Sequence, residues 1–148
     1  MTQILRNFLT GANNKEFATK TGAQMHAVLQ HVIVDESGDY GDKDIIEIIK
    51  EKPELKCFFV CDAQTEVPIA GEINGCFISR RIDRLLINHD TKTIDFIDYK
   101  TDINKTEFIE KYENQLKEYA QLLHSAYPGY KVNGYILWLH DWNLNRII

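Results

Sequence analysis

This chain of 148 residues lacks several features that would place it quickly in a class of proteins. It has no apolar run near the roughly 20 residues that span a bilayer. Its first residues lack the apolar core and the small-residue cleavage site of a signal peptide. Internal repeats and low-complexity tracts are absent as well. We therefore expect one domain over residues 1–148, in the cytoplasm and without a membrane partner.

Cysteine is scarce, and a nucleotide-binding loop is missing. The odd count of Cys57, Cys61 and Cys76 argues against a disulfide framework and cannot supply a four-thiolate zinc or iron–sulfur site. Because Cys57 and Cys61 lie in an apolar run, we interpret them as core thiols on a strand. No Gly-x-x-x-x-Gly-Lys-Ser/Thr sequence occurs, so we expect no ATP site and no motor in this chain.

A net positive charge is lacking too. The formal charge of −5 argues against a protein that coats nucleic acid non-specifically. Residues 35–44 are strongly acidic but lack the glycine position of an EF-hand, so we interpret them as a solvated loop that leads into a helix. Basic residues gather later and could form a local rim for an anionic substrate: Arg80, Arg81, Arg84, Lys92, Lys100, Lys105, Lys111 and Lys117.

The chain does have the composition of a globular domain, with 44% hydrophobic and 26% charged residues. A chain of this length buries roughly 70% of its unfolded surface. Apolar spacing and the turn at Asn74-Gly75 predict helices over 2–9, 21–31, 42–51 and 107–125, and strands over 56–61, 66–73, 76–87, 93–99 and 131–139. This order predicts an α/β fold in which a mixed central sheet is flanked by helices.

Two acidic residues and a lysine fall on one predicted hairpin. Asp98 and Lys100 share a strand face because side chains alternate, and Asp83 lies on the preceding strand. Two carboxylates held together repel each other unless a cation lies between them, and Mg²⁺ accepts carboxylate oxygens. With a lysine to orient water or balance charge, such a site suits phosphodiester hydrolysis. Spacing alone favours an ordinary polar pair of Asp98 and Lys100 on a surface strand over a catalytic site.

Five segments strengthen the nuclease interpretation because they occur together and in order. They read Gly-Ala-Gln-Met-His-Ala-Val-Leu at 22–29, Glu-Val-Pro at 66–68, Ser-Arg-Arg-Ile-Asp-Arg-Leu at 79–85, Ile-Asp-Tyr-Lys-Thr at 97–101 and Gln-Leu-Lys-Glu-Tyr at 115–119. From about residue 19 to its end, the chain resembles the RecB-like branch of the PD-(D/E)XK nuclease superfamily. The resemblance is strongest to the C-terminal nuclease domain of AddA-type and RecB-type helicase–nucleases.

The resemblance implies a restriction-endonuclease-like core and a deoxyribonuclease that uses Mg²⁺ or Mn²⁺ and has no iron–sulfur cluster. It implies a metal site made of His26, Asp83, Asp98 and the Tyr99 carbonyl. Asp83 and Asp98 would act in catalysis together with Lys100. The residues implied to contact DNA or to support the lysine are Thr101, Gln115 and Tyr119. Glu66 fits the family pattern but receives no role.

The biological setting implied by the resemblance is exonucleolytic processing of DNA ends in recombinational repair. A helicase motor would belong to the same full-length protein or complex, of which this chain is the C-terminal part, or the chain is a free-standing nuclease. Two alternatives stay open: a catalytically silent DNA-binding module with a nuclease fold, and a restriction-type or resolvase-type endonuclease. Arg80 stands where the family usually has glycine, which would alter the DNA groove or the packing of the hairpin.

Overall fold

A computed structural model describes the backbone of residues 15–148 and the side chains of residues 22–148. The helix predicted over residues 2–9 lies outside the described residues. The helices are α1 (Lys15–Leu29), α2 (Lys43–Lys50), α3 (Pro53–Lys56) and α4 (Lys105–Ala126). The strands are β1 (Ile33–Asp35), β2 (Gly38–Tyr40), β3 (Gln64–Ile73), β4 (Cys76–Asn88), β5 (Thr93–Lys100), β6 (Lys131–Trp138) and β7 (Asn143–Arg146).

The central sheet has five strands in the order β3-β4-β5-β6-β7. Neighbouring strands are antiparallel except β5 and β6, which run parallel and are connected through α4. A crossover of this kind needs a helix between the two strands. The predicted α/β fold with a mixed central sheet flanked by helices is therefore confirmed.

Helices cover both faces of this sheet because β5 is apolar on both sides. Ile94 and Phe96 pack in the cluster that includes α4, whereas Ile97 and Tyr99 pack in the cluster that includes α1, α2 and α3. Alternation along the strand then places Asp98 and Lys100 on the α4 face. The alternation of side chains along β5 thus determines on which face of the sheet Asp98 and Lys100 lie.

The structure contradicts the strand predicted over 56–61. Pro53 starts the short helix α3 instead, as proline often does at the first helical position, and turns follow it. Leu55, Phe58 and Phe59 are buried there at helix-like spacing. Cys57 and Cys61 are exposed rather than core thiols on a strand.

The acidic loop is also more ordered than the sequence suggested. Strands β1 and β2 form a small antiparallel hairpin within residues 33–40. The Asp35 carboxylate accepts hydrogen bonds from the backbone N–H of Ser37 at 2.8 Å and of Cys61 at 2.7 Å. This carboxylate therefore ties the hairpin to the segment after α3. Strand β7 was likewise not predicted, and helix α1 begins before the predicted residue 21.

Within the described part of the chain, no helix is long and apolar enough to cross a membrane.

Candidate metal and phosphodiester site

Strands β4 and β5 separate where the acidic residues lie. Their ladder ends at the pair Arg84↔Ile97, so Asp83 and Asp98 occupy the next position, at which the strands are no longer paired. The Tyr99 N–H donates to Asp83 Oδ2 at 2.7 Å instead of to a strand carbonyl. This bond fixes Oδ2 of Asp83 between the strands and leaves Oδ1 for other contacts.

Glu66 reaches the same place from β3. The pairs Thr65↔Arg84 and Val67↔Ile82 flank it, which puts Glu66 opposite Asp83 although the two are not themselves paired. Glu66 has a φ of 53°, a left-handed conformation that is uncommon outside glycine. The local distortion of β3 therefore coincides with the point at which β4 leaves β5.

A histidine completes this group from the opposite side. His26 on α1 lies with Nδ1 3.6 Å from Asp83 Oδ1, and its ring packs edge-on against Tyr99. One ligand atom each from His26, Glu66 and Asp83 lies within 4.8 Å of the other two. These are the three residues of the candidate metal cluster. Imidazole nitrogen and carboxylate oxygen are both ligands of divalent cations.

Glu66 is the residue to which sequence reasoning gave no role. Two signals were available, namely its Glu-x-Pro segment and its position opposite Asp83. Of the predicted ligands His26, Asp83, Asp98 and the Tyr99 carbonyl, the cluster contains His26 and Asp83, and it adds Glu66. Asp98 lies beside Asp83 on the neighbouring strand, but its Oδ2 contacts the Lys100 ammonium.

Lys100 is held on the α4 face by three contacts. Its Nζ lies 2.7 Å from Asp98 Oδ2, donates to Gln115 Oε1 at 2.9 Å and sits 4.2 Å from the centre of the Tyr112 ring. Gln115 in turn donates through Nε2 to the Tyr119 hydroxyl at 2.7 Å. The predicted partners Gln115 and Tyr119 are thus joined to the lysine in one chain of hydrogen bonds. Since Tyr119 is buried, its ring supports this chain and is not a surface for DNA bases.

Thr101 lies where α1 approaches the end of β5. A Cβ atom added to Gly22 would lie 3.4 Å from both Oγ1 and Cγ2 of Thr101. Gly22 is four residues before His26, so it lies about one turn away on the same helix face. The distance of 3.4 Å is an ordinary van der Waals contact, so α1 lies directly against the end of β5 one turn before His26.

Arg84 and Arg80, both predicted to belong to the basic rim, are held by structural partners. Arg84 is 1% exposed, so it is not part of a rim at all. Its guanidinium donates to the carbonyls of Leu29 and Phe58 and to the Tyr99 hydroxyl, at 2.7, 3.1 and 2.9 Å. Arg80 is exposed and pairs with Glu118 of α4 at 3.1 Å. Arg80 therefore ties the hairpin to α4.

Burial makes the carboxylates of the site weak acids. It raises the pKa of Asp83 to about 7, and repulsion from Asp98 adds to the effect. Burial also raises the pKa of Asp98, which the Lys100 charge opposes. For His26, burial lowers the pKa, while the charge of Asp98 and a hydrogen bond with the Tyr99 backbone act the other way. In the apoprotein, both carboxyl groups therefore bind their protons more tightly, and the His26 ring less tightly, than the free side chains do.

These pKa directions predict that the apoprotein loses stability as the pH rises. Asp83 has a pKa near 4 when unfolded and about 7 when folded. The folded state therefore binds more protons between those values, and the free energy of unfolding falls from about pH 4 to pH 7. One pKa unit corresponds to about 1.4 kcal/mol, so Asp83→Asn should raise the melting temperature by several degrees at pH 8.

The measurement is thermal unfolding in EDTA at pH 5 and pH 8. The advantage of Asp83→Asn should shrink at the lower pH, because wild-type Asp83 is then protonated. Equal pH dependence in the wild type and the variant would mean that Asp83 is ionised freely in the fold.

Comparisons with models of known protein families and with curated proteins find no match for this chain. Its function therefore has to be inferred from the residues themselves.

Proposed function

We propose that this chain is a metal-dependent DNA nuclease of the PD-(D/E)XK type, with a restriction-endonuclease-like core and RecB-like motifs. The observation that carries the proposal is the convergence of Asp83, Asp98 and Lys100 where β4 and β5 separate, with His26 and Glu66 against them. The reaction is hydrolysis of DNA phosphodiester bonds. Its setting is exonucleolytic end processing in recombinational repair, with a helicase motor as partner.

The donor set fits Mg²⁺ or Mn²⁺. Asp83 and Asp98 are 8% and 4% exposed, and burying two neighbouring carboxylates is costly without a cation. Asp98 Oδ2 has an ion-pair contact with Lys100, but within the described residues it accepts no hydrogen bond. His26, Asp83, Asp98 and the Tyr99 carbonyl are the proposed ligands, with Glu66 added by the geometry. A divalent cation bound there supplies charge stabilisation at the phosphate and lowers the pKa of water.

The residues of the chain supply position and charge. The Lys100 ammonium is the positive group that stabilises charge developing on the phosphate oxygens. Gln115 limits its rotation through Oε1, and Tyr119 fixes the amide of Gln115. Asp98 keeps the lysine close to the cluster. Because each of these side chains is held before substrate arrives, the site is preorganised for the transition state.

Two further functions differ from this one in what they require. A silent DNA-binding module needs the fold but not the acidic pair with its lysine, and Asp83, Asp98 and Lys100 are all present. A restriction-type or resolvase-type endonuclease would use the same residues on internal bonds. Labelled linear and closed circular DNA, single-stranded and double-stranded, separates these functions when incubated with Mg²⁺, Mn²⁺ or EDTA. Cleavage of linear DNA alone supports the exonuclease.

Removing a carboxylate of the site should abolish cleavage while the fold persists. Asp83→Ala and Asp98→Ala each remove a proposed ligand without opening a large cavity, and they relieve repulsion in the apoprotein. Glu66→Gln keeps the shape of the side chain and removes its charge, so the metal concentration for half-maximal cleavage should rise. The measurements are cleavage rates across a Mn²⁺ titration and calorimetric Mn²⁺ binding.

The matched control is Asp90→Ala, which removes an exposed carboxylate from the turn at the far end of the same hairpin. This variant should cleave DNA and bind Mn²⁺ like the wild type. Wild-type cleavage by Asp83→Ala or Asp98→Ala would contradict the proposed site.

A further inference from the structure

The outer part of the β3–β4 hairpin has one covered face and one open face. One of its faces packs on α4, where Gly71 lies so close that an added Cβ would be 2.9 Å from Leu122 Cδ2. Arg80 points the same way, as its ion pair with Glu118 shows. Val67 and Ile69 also pack in the α4 cluster. This face of the hairpin is therefore occupied.

The opposite face is exposed along its whole length within the described residues. Cross-strand partners share a face, so the register pairs Pro68 with Arg81, Ala70 with Ser79 and Glu72 with Phe77 on this side. All six side chains are exposed. These residues form what we call the open hairpin face: Pro68, Ala70, Glu72, Phe77, Ser79 and Arg81.

The open hairpin face begins at the candidate site. Arg81 Nη1 lies 3.0 Å from Glu66 Oε2, so the guanidinium borders the metal cluster while most of it stays exposed. Phe77 is four residues further along the same strand, about 13 Å away at the usual rise of a strand. Its side chain is 77% exposed. Between Arg81 and Phe77, the small side chains of Ala70 and Ser79 project only a short way from the sheet.

We propose that the open hairpin face binds single-stranded DNA and leads it to the site. This inference rests on the proposed function and specifies its substrate. The Phe77 ring stacks on a base, and Arg81 contacts a phosphate next to the scissile bond. Stacking on an exposed aromatic ring requires the flat face of an unpaired base, which duplex DNA does not present along its length.

Electrostatic attraction supplies little of the affinity for DNA on this surface. The chain has a net charge of −5, and Glu72 lies opposite Phe77, so attraction for a polyanion is weak on this surface. Arg81 supplies one positive group where the strand meets the cluster. Affinity must then come mainly from stacking, which does not depend on net charge.

The test is a binding titration of wild type and variants with a fluorescent oligothymidylate and with a duplex of equal length, in EDTA. Phe77→Ala should weaken single-strand binding about tenfold or more, the usual effect of losing one stacked base. Phe77→Trp should restore it. Arg81→Ala should weaken it less and make it less sensitive to salt. Duplex binding should hardly change.

Tyr40→Ala is the matched control, since Tyr40 is a 67% exposed aromatic residue on the separate β1–β2 hairpin. Equal affinity of Phe77→Ala and Tyr40→Ala for the oligothymidylate would overturn the inference. So would an equal loss on both DNA forms, or a change confined to self-association. A wild type that binds single strands through Phe77 but never cleaves them with metal would overturn the proposed function alone.

Discussion

Replacing Lys100 with methionine is expected to lower DNA cleavage by two or more orders of magnitude. Methionine keeps most of the stem volume but removes the ammonium that lies between Asp98 and Gln115. A hundredfold loss corresponds to about 3 kcal/mol of transition-state stabilisation, which is typical of one well-placed charged donor. Metal binding should persist or tighten, because a neighbouring positive charge is removed. DNA affinity should fall only modestly, as one phosphate contact among several is lost.

The assay is single-turnover cleavage beside a DNA-binding titration, both with Mn²⁺. Lys105→Met is the matched control: it removes an ammonium paired with Asp141 at the start of α4 and should leave the cleavage rate near that of the wild type. If Lys100→Met cuts DNA at the wild-type rate, Lys100 is not the catalytic lysine. If the wild type cuts no DNA with either metal, the DNA-binding module is favoured.

Arg84→Met is expected to cause the largest loss of stability. The buried guanidinium joins the end of α1, the segment after α3 and strand β5, through Leu29, Phe58 and Tyr99. It also stacks on Phe59 at 4.2 Å. Methionine can fill part of this space but removes the donors to the Phe58 carbonyl and the Tyr99 hydroxyl, and it leaves the Leu29 carbonyl only the Val32 N–H at 3.2 Å. Each buried group left unsatisfied costs about 1–3 kcal/mol. We expect a loss of roughly 3 kcal/mol or more, a large part of the 5–15 kcal/mol typical of a domain.

Urea unfolding of the EDTA-treated protein measures this loss. The control is Arg80→Met. The Arg80 guanidinium lies at the surface, where it pairs with Glu118. An exposed pair contributes at most about 1 kcal/mol. A second variant, Tyr99→Phe, removes only the hydroxyl that Arg84 contacts and should lie between the two. A loss below 1 kcal/mol for Arg84→Met would show that water replaces the guanidinium.

Local sequence patterns were sufficient to predict most strands of the sheet. Alternation and the Asn74-Gly75 turn predicted β3 and β4 to within two residues at each end, and the long amphipathic helix α4 was predicted to within two residues as well. The short segment over residues 56–61 was predicted wrongly. The run of five apolar residues at 57–61 is compatible with a buried strand or with a buried helical turn. Pro53 favours the helical turn, because it starts the short helix α3.

The amino-acid sequence by itself determined the α/β class and the shared face of Asp98 and Lys100, since strand alternation is a local property. Only the tertiary structure decided that Glu66 joins His26 and Asp83, because they lie on three elements brought together by packing. It also decided that Arg84 is buried while Arg80 and Arg81 on the same strand are exposed. The charge of Arg84 alone would predict a surface position. In the fold, acceptors from three distant segments bind its guanidinium and compensate its burial. No local sequence pattern indicates where such distant acceptors meet.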